Sequence, residues 1–196
     1  MPLFLGPSLA ITDYLPQVVA ELKRECPELK VQVASVLAGA DLAVPDLRLA
    51  QILADQVRAL PWTPGTRVAL VDHGSPIRAV NHVRNTVARQ LEQLLQPAVE
   101  LVQPCSMERR SGAAYAFNEP LLEGLAQLDG FAGGRLILAM FFLLPGRHAG
   151  EGGDVAEICD GLVASGAFQQ IQTTPLLGEH PLLLDILVDR LRATLS

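Results

Sequence analysis

Hydrophobic positions along this chain fall into two alternating kinds of run. Short apolar or β-branched stretches at 67–71, 99–102, 136–144 and 169–174 have the length and flanking turn residues of strands. The first has no polar residue from Val68 to Val71, the pattern of a strand buried on both faces. Between these stretches the apolar positions recur at helical spacing, over 77–95, over a segment starting at 114 or 119 and ending at 128, and over 154–165 and 181–195. Upstream, 2–5 and 29–37 read as strands. A helix is expected over 12–25, with Leu15, Val18, Val19 and Leu22 as its apolar stripe, and another over 46–60, with Leu47, Ala50, Ile52, Leu53, Val57 and Leu60 facing inward. Strand–helix alternation of this regularity implies an α/β protein, a three-layer α/β/α sandwich around a mostly parallel sheet.

Two of the expected strands end on histidines. His73 follows the run 67–71 and opens His73-Gly74-Ser75; His148 closes 141–148, a run broken by Pro145-Gly146. In open parallel sheets the crevice beyond the carboxyl ends of the strands is where ligands bind, so two histidines in equivalent places could face one cleft. Each could instead cap a strand or helix by hydrogen bonding. His82, in mid-helix beside Asn81 and Arg84, reads as solvent-facing, and His180, ahead of Pro181, as a turn residue.

Pro61-Trp62-Thr63-Pro64-Gly65 is the strongest break in the chain. An offset of 139 residues aligns Met1 with Met140, Leu5 with Leu144 and Gly39 with Gly178, so residues 1–62 read as a degenerate half-module and 66–196 as a complete one. The alignment sets Leu9 opposite His148 and Asp41 opposite His180, which confines metal chemistry to the second unit.

Composition removes whole classes of function. With 15 Lys and Arg against 21 Asp and Glu the net charge is −6, which argues against a nucleic-acid partner. Three scattered cysteines form no CxxC and suit a reducing cytoplasm. No apolar run approaches the roughly 20 residues of a membrane span, and the amino-terminal residues do not have the layout of a signal peptide. A soluble, cytoplasmic protein is expected. Two imidazoles without cysteine suit Co²⁺, Fe²⁺ or Ni²⁺ and leave coordination positions open, as a metal that must be passed on requires.

Three motifs then carry a resemblance: His73-Gly74-Ser75 followed by Asn81, the run 141–148 ending in Pro-Gly-Arg-His148, and 175–181 leading into Asp189-Arg190. In order and spacing they resemble the sirohydrochlorin chelatases, the small class II cobalto- and ferrochelatases of cobalamin and siroheme synthesis, over about 66–196. The resemblance implies a chelatase-like fold and a lyase-type reaction, insertion of Co²⁺ or Fe²⁺, with Ni²⁺ fitting as well, into a sirohydrochlorin-like tetrapyrrole without an organic cofactor. His73 and His148 would bind the metal, and Ser75, Arg78, Gly146 and Arg147 the macrocycle. The macrocycle carries eight carboxylates, so Arg109 and Arg110 are further cationic candidates, or else plain solvated surface. The family's Phe-x-Glu before a proline is matched to 114–120, where alignment puts Ala116 at the acidic position and leaves Glu119 as nearest substitute, a helix-start acid otherwise. Pro76 stands where an arginine is usual. Gly152 stands where an acid is expected four residues after His148, flanked by Glu151 and Asp154. The glycines of 146–153 read as a flexible lip over a flat ligand or as a long loop. The missing acid keeps a second reading open, a non-catalytic chelatase-like protein that binds metal or tetrapyrrole. The half-module leaves room for a homodimer that completes the cleft. A nucleotide-binding α/β domain has no GxGxxG or GKS/T to support it.

Overall fold

The computed structural model describes residues 1–99 and 101–195; Glu100, within the expected strand 99–102, and Ser196 lie outside the described residues. Four parallel strands form the sheet: β1 (Arg67–Asp72), β2 (Val102–Ser106), β3 (Arg135–Met140) and β4 (Gln170–Thr173), in spatial order β2-β1-β3-β4. Strict alternation along the strands builds a core on each face. Val68, Leu70, Ile137 and Ala139 point to one side, where α2 (Leu47–Ala59), α3 (Arg78–Leu95) and α5 (Leu182–Leu195) cover them. Ala69, Val71, Leu136, Leu138 and Met140 point to the other, beneath α4 (Asp154–Ala164) and two 3₁₀ turns, Ala113–Asn118 and Leu122–Gln127. The three-layer α/β/α expectation holds.

The helix α2 belongs to this core, with Leu49, Ile52 and Leu53 fully buried. Asp46 caps it by accepting from the Arg48 amide at 3.1 Å, and its carboxylate also accepts from Arg48 and, at 2.6 Å, from Arg190 of α5. Burial pushes the Asp46 carboxyl up, but the hydrogen bonds from the two arginines outweigh it and hold the group below its usual value.

Several elements differ from the sequence expectation, each for a local reason. Segments 2–5 and 29–37 are extended but form no strands. Leu37 and Ala38 donate to the Phe4 and Leu5 carbonyls, a contact too short to make a ladder, and most of 28–33 is exposed. The amino-terminal helix begins earlier, as a π-turn over Ala10–Tyr14 that runs into α1 (Leu15–Glu25), and no side chain of α1 is buried. The strand expected at 99–102 lies at Val102–Ser106; Pro104 is tolerated because β2 is an edge strand, where a missing N–H interrupts no outer ladder. The helix expected to end at 128 is two 3₁₀ turns, since Pro120 has no N–H to donate. The long apolar run 136–144 leaves the named strand after Met140; Phe141, Phe142 and Leu143 line a cleft while their backbones bond Val71, Leu177 and Gly178.

Candidate functional site

The connection from β2 to β3 crosses over β1, so the strand order reverses between β1 and β3 and opens a crevice beyond their carboxyl ends. His73 follows the last residue of β1, and His148 lies eight residues beyond the last residue of β3. The fold brings them together, ring centroids 4.5 Å apart and planes at 66°. His73 Nδ1 lies 3.0 Å from the Gly74 carbonyl, which can only accept, so this contact puts a proton on Nδ1 and leaves Nε2 unprotonated in the neutral ring. His148 is oriented the same way by a stronger partner, with Nδ1 donating to Asp154 Oδ2 at 2.5 Å. A histidine whose outer nitrogen is held by a carboxylate has the geometry of a metal ligand, and the carboxylate raises its basicity.

Asp154 begins α4, two residues past Gly152, the position where the resemblance leads one to expect an acid. The glycine loop makes this displacement workable. Gly150 donates to the Gly146 carbonyl and Gly153 to that of Gly150, while a Cβ at Gly153 would lie 2.5 Å from the Arg147 carbonyl oxygen. These backbone bonds wind the loop tightly on itself. Asp154→Asn keeps the hydrogen bond but removes the charge; Co²⁺ titrated into the protein is expected to bind about 10- to 100-fold more weakly to this variant.

Sequence reasoning passed over Glu108. The register of β1 on β2 pairs Asp72 with Ser106 and continues past the strands, the Met107 amide donating to Asp72 and that of Glu108 to His73. Gly74, at φ 93°, permits this approach; a Cβ there would lie 1.9 Å from the Glu108 carbonyl oxygen. Glu108 Oε1 consequently lies 3.5 Å from His73 Nε2. The available signal was an acid two residues beyond the end of the strand paired with β1. Ala116 is exposed on the first 3₁₀ turn, and Glu119 is spent elsewhere, accepting from Arg109 Nε at 2.5 Å and from the Leu121 amide. Among the described residues no three His, Cys, Asp or Glu side chains come close enough together to hold a metal ion. The preformed unit is the imidazole pair, with Glu108 to one side.

The remaining candidates divide between structure and rim. Ser75 lies in the turn ahead of α3, its hydroxyl accepting from the Ile77 amide, while its backbone N–H and C=O are both bonded by the buried Asn118 side chain. Asn81 in turn bonds the Phe117 carbonyl, so the turn that carries His73 is latched to the segment that follows Glu108. Arg78 lies 4.5 Å over the Phe117 ring, and Arg147 is 85% exposed with its Nε 4.0 Å from Asp154 Oδ2. Gly146 has open space where a Cβ would be. His180 is the turn residue expected, its Nδ1 accepting from the Leu182 amide, and His82 is exposed. Beneath His73, Asp72 is buried and accepts from Ser106 Oγ at 2.6 Å and from the Gly74 amide, with Arg84 Nη1 3.7 Å away. Burial raises its carboxyl above the usual value, against the pull of the Arg84 charge.

A crevice at the switch point, two imidazoles each held through Nδ1 and a flanking acid are what a class II tetrapyrrole chelatase needs to receive a metal and release it. Residues 67–194 match the CbiX family, and the chain belongs to it. Among solved structures, SirB from Bacillus subtilis with Fe³⁺ matches with a TM-score of 0.69 and 17% identity, over 98% of this chain and 69% of that one. CbiX, titled the terminal enzyme for biosynthesis of siroheme in denitrifying bacteria, matches with a TM-score of 0.60 and 23% identity, over 100% and 74% of the two chains. At these identities the two neighbours share the fold. No curated protein matches the chain significantly. No helix among the described residues is long and apolar enough to cross a membrane.

Proposed function

We propose that this protein inserts Co²⁺ or Fe²⁺ into sirohydrochlorin, with His73 and His148 holding the incoming metal. The observation that carries this reading is the imidazole pair, 4.5 Å apart between ring centroids, in which both Nδ1 atoms are hydrogen-bonded and the Nε2 atoms are left as metal donors, that of His73 3.5 Å from Glu108 Oε1. Two neutral nitrogen donors leave most of the coordination sphere to water, so the ion can be transferred to the four pyrrole nitrogens without breaking a closed site. Insertion of a divalent ion into the neutral macrocycle releases two N–H protons. As the imidazoles let go of the metal their Nε2 lone pairs become available to take them up, and Glu108, beside His73, is a further acceptor. On this reading Glu108 takes the role that the sequence offered to Glu119. Residues 1–62 are a degenerate half-module that supplies one wall of the cleft, and 66–196 the complete module.

The test is an anaerobic absorbance assay of the purified chain with sirohydrochlorin and Co²⁺ or Fe²⁺ against a protein-free control. Metallation faster than the control is expected. Glu108→Gln should lower the rate by about 10²- to 10⁴-fold, the usual range for a general base, whereas Glu119→Gln should leave it within a fewfold. A macrocycle spectrum that responds to the protein while metallation stays at the control rate would replace this reading with that of a non-catalytic binding protein.

A further inference from the structure

The two histidines of the pair are held by different means. His148 has a side-chain partner, the Asp154 carboxylate. At Nδ1 of His73 the partner is instead the carbonyl of the next residue, Gly74, at 3.0 Å. On the other side of that ring Glu108 Oε1 lies 3.5 Å from Nε2. Both partners are acceptors, so they compete for the single proton of the neutral imidazole, and only the Nδ1–H form leaves the Nε2 lone pair to a metal. Which form prevails depends on how firmly the Gly74 carbonyl is aimed at Nδ1.

That carbonyl shares a peptide plane with the Ser75 N–H, and across a trans peptide the two point in opposite directions. The Ser75 N–H donates to Asn118 Oδ1 at 3.2 Å, and the Ser75 carbonyl accepts from Asn118 Nδ2 at 2.9 Å. A backbone N–H only donates and a carbonyl only accepts, so these partners fix which end of the amide is which. The amide is itself held firmly. Asn118 is 1% exposed, its Nδ2 also donates to the Tyr115 carbonyl at 3.2 Å, and its own carbonyl accepts from Arg84 at 3.1 Å. The preceding peptide plane is fastened separately, the Gly74 amide by Asp72 and the His73 carbonyl by the Glu108 amide. Gly74, at φ 93°, has no side chain with which to resist rotation of the plane that follows it. That plane is held at its N–H by Asn118.

Resting on the chelatase reading, we propose that Asn118 is a positioning residue for His73: by holding the Ser75 N–H it aims the Gly74 carbonyl at Nδ1, keeps the ring proton there and presents Nε2 to the metal. Asn118 is to His73 what Asp154 is to His148, with one peptide unit interposed. The two hydrogen bonds lie on the two ends of a single peptide dipole, so each polarises the other.

The experiment uses wild type, Asn118→Ala, Asn118→Leu, which fills much of the asparagine volume without a polar group, His73→Ala and the double variant His73→Ala/Asn118→Leu. Metal-free protein is titrated with Co²⁺ by visible absorbance, and the His73 ring nitrogens are read by ¹⁵N NMR at alkaline pH, where the ring is neutral. The wild type should show Nδ1–H. Both Asn118 variants should move toward Nε2–H and bind Co²⁺ about tenfold more weakly, the low end of the range for an outer partner of a metal ligand. Their kcat for metallation should fall to match, with KM for sirohydrochlorin unchanged. In the His73→Ala background Asn118→Leu should change Co²⁺ affinity less than twofold. A purely structural Asn118 would lower the melting temperature while tautomer and Co²⁺ affinity of the folded variants stay as in the wild type, and that result overturns the proposal. An equal loss of Co²⁺ affinity with and without His73 overturns it as well, as does a change confined to KM. Should both Asn118 variants fail to fold, the wild-type spectrum decides, since Nε2–H on His73 there is incompatible with the proposal and Nδ1–H supports it. A wild type that carries Nδ1–H and loses Co²⁺ affinity on substitution of Asn118, yet metallates no faster than the protein-free control, removes the chelatase reading and leaves the positioning role standing.

Discussion

His73→Ala and His148→Ala are each expected to lower Co²⁺ insertion into sirohydrochlorin by on the order of 100-fold or more. Loss of a carboxylate that merely orients a metal-bound histidine already costs about 10- to 100-fold, and removal of a ligand should cost at least as much. The two imidazoles are so close that they act as one unit. The double variant should therefore be hardly worse than either single one, because removing one member of a cooperative pair already removes the function of the other. Both side chains are partly exposed, 46% for His73 and 34% for His148, so neither substitution opens a hole in the core, and circular dichroism should be unchanged. The check is initial rates of metallation with direct Co²⁺ titration of each folded variant. Unchanged turnover in either one would remove the ligand roles. Strictly additive losses would show that the two histidines act independently.

The parts of this site that were legible in the sequence lie at the ends of strands. An apolar run closed by His-Gly-Ser and another closed by Pro-Gly-Arg-His are local patterns, and a parallel sheet puts both ends on one edge by topology alone. What stayed hidden depends on pairing between distant segments. Glu108 stands two residues beyond β2, but only the register of β1 on β2 puts it beside His73. The Phe-x-Glu pattern drew attention to 114–120, where Pro120 breaks the expected helix into 3₁₀ turns and Arg109 has claimed Glu119. Asp154 was named only as a flanking acid because spacing along the chain does not show which acid meets the ring; the backbone bonds of the 146–153 loop and the start of α4 set Asp154 against His148 Nδ1. The same limit explains the amino-terminal strands. Periodicity at 2–5 and 29–37 is strand-like, but a strand needs a neighbour, and the two segments meet only where the Leu37 and Ala38 amides bond the Phe4 and Leu5 carbonyls.

Arg84→Met is expected to be the most damaging single change away from the two histidines, costing about 3–5 kcal/mol, the range for breaking a buried ion pair from one side. Arg84 is 1% exposed, the largest fully buried side chain among the described residues. It donates to Ser106 Oγ at 2.5 Å and to the Asn118 carbonyl at 3.1 Å, and it is the countercharge for Asp72. Without it, Asp72 is a carboxylate in the core with only Ser106 and the Gly74 amide to satisfy it. For a domain of this size about 1 kcal/mol moves the melting temperature by roughly 2–4 °C, so thermal unfolding should fall by about 6–20 °C. Methionine fills much of the arginine volume, which confines the loss mainly to charge and hydrogen bonds. Adding Asp72→Asn to Arg84→Met should restore part of the stability, because the second change removes the stranded charge; the coupling in a double-mutant cycle should reach about 1–3 kcal/mol. If the double variant is as unstable as the sum of the two singles, the Arg84–Asp72 pair is not what holds this corner of the core. Metallation should discriminate further. Asp72 accepts from the Gly74 amide and its own carbonyl accepts from Met107, so the network under β1 sets the height of His73 above the sheet. A double variant that refolds but metallates slowly, with Co²⁺ affinity lowered, would show that this buried pair aims the ligand as well as stabilising the strand that carries it.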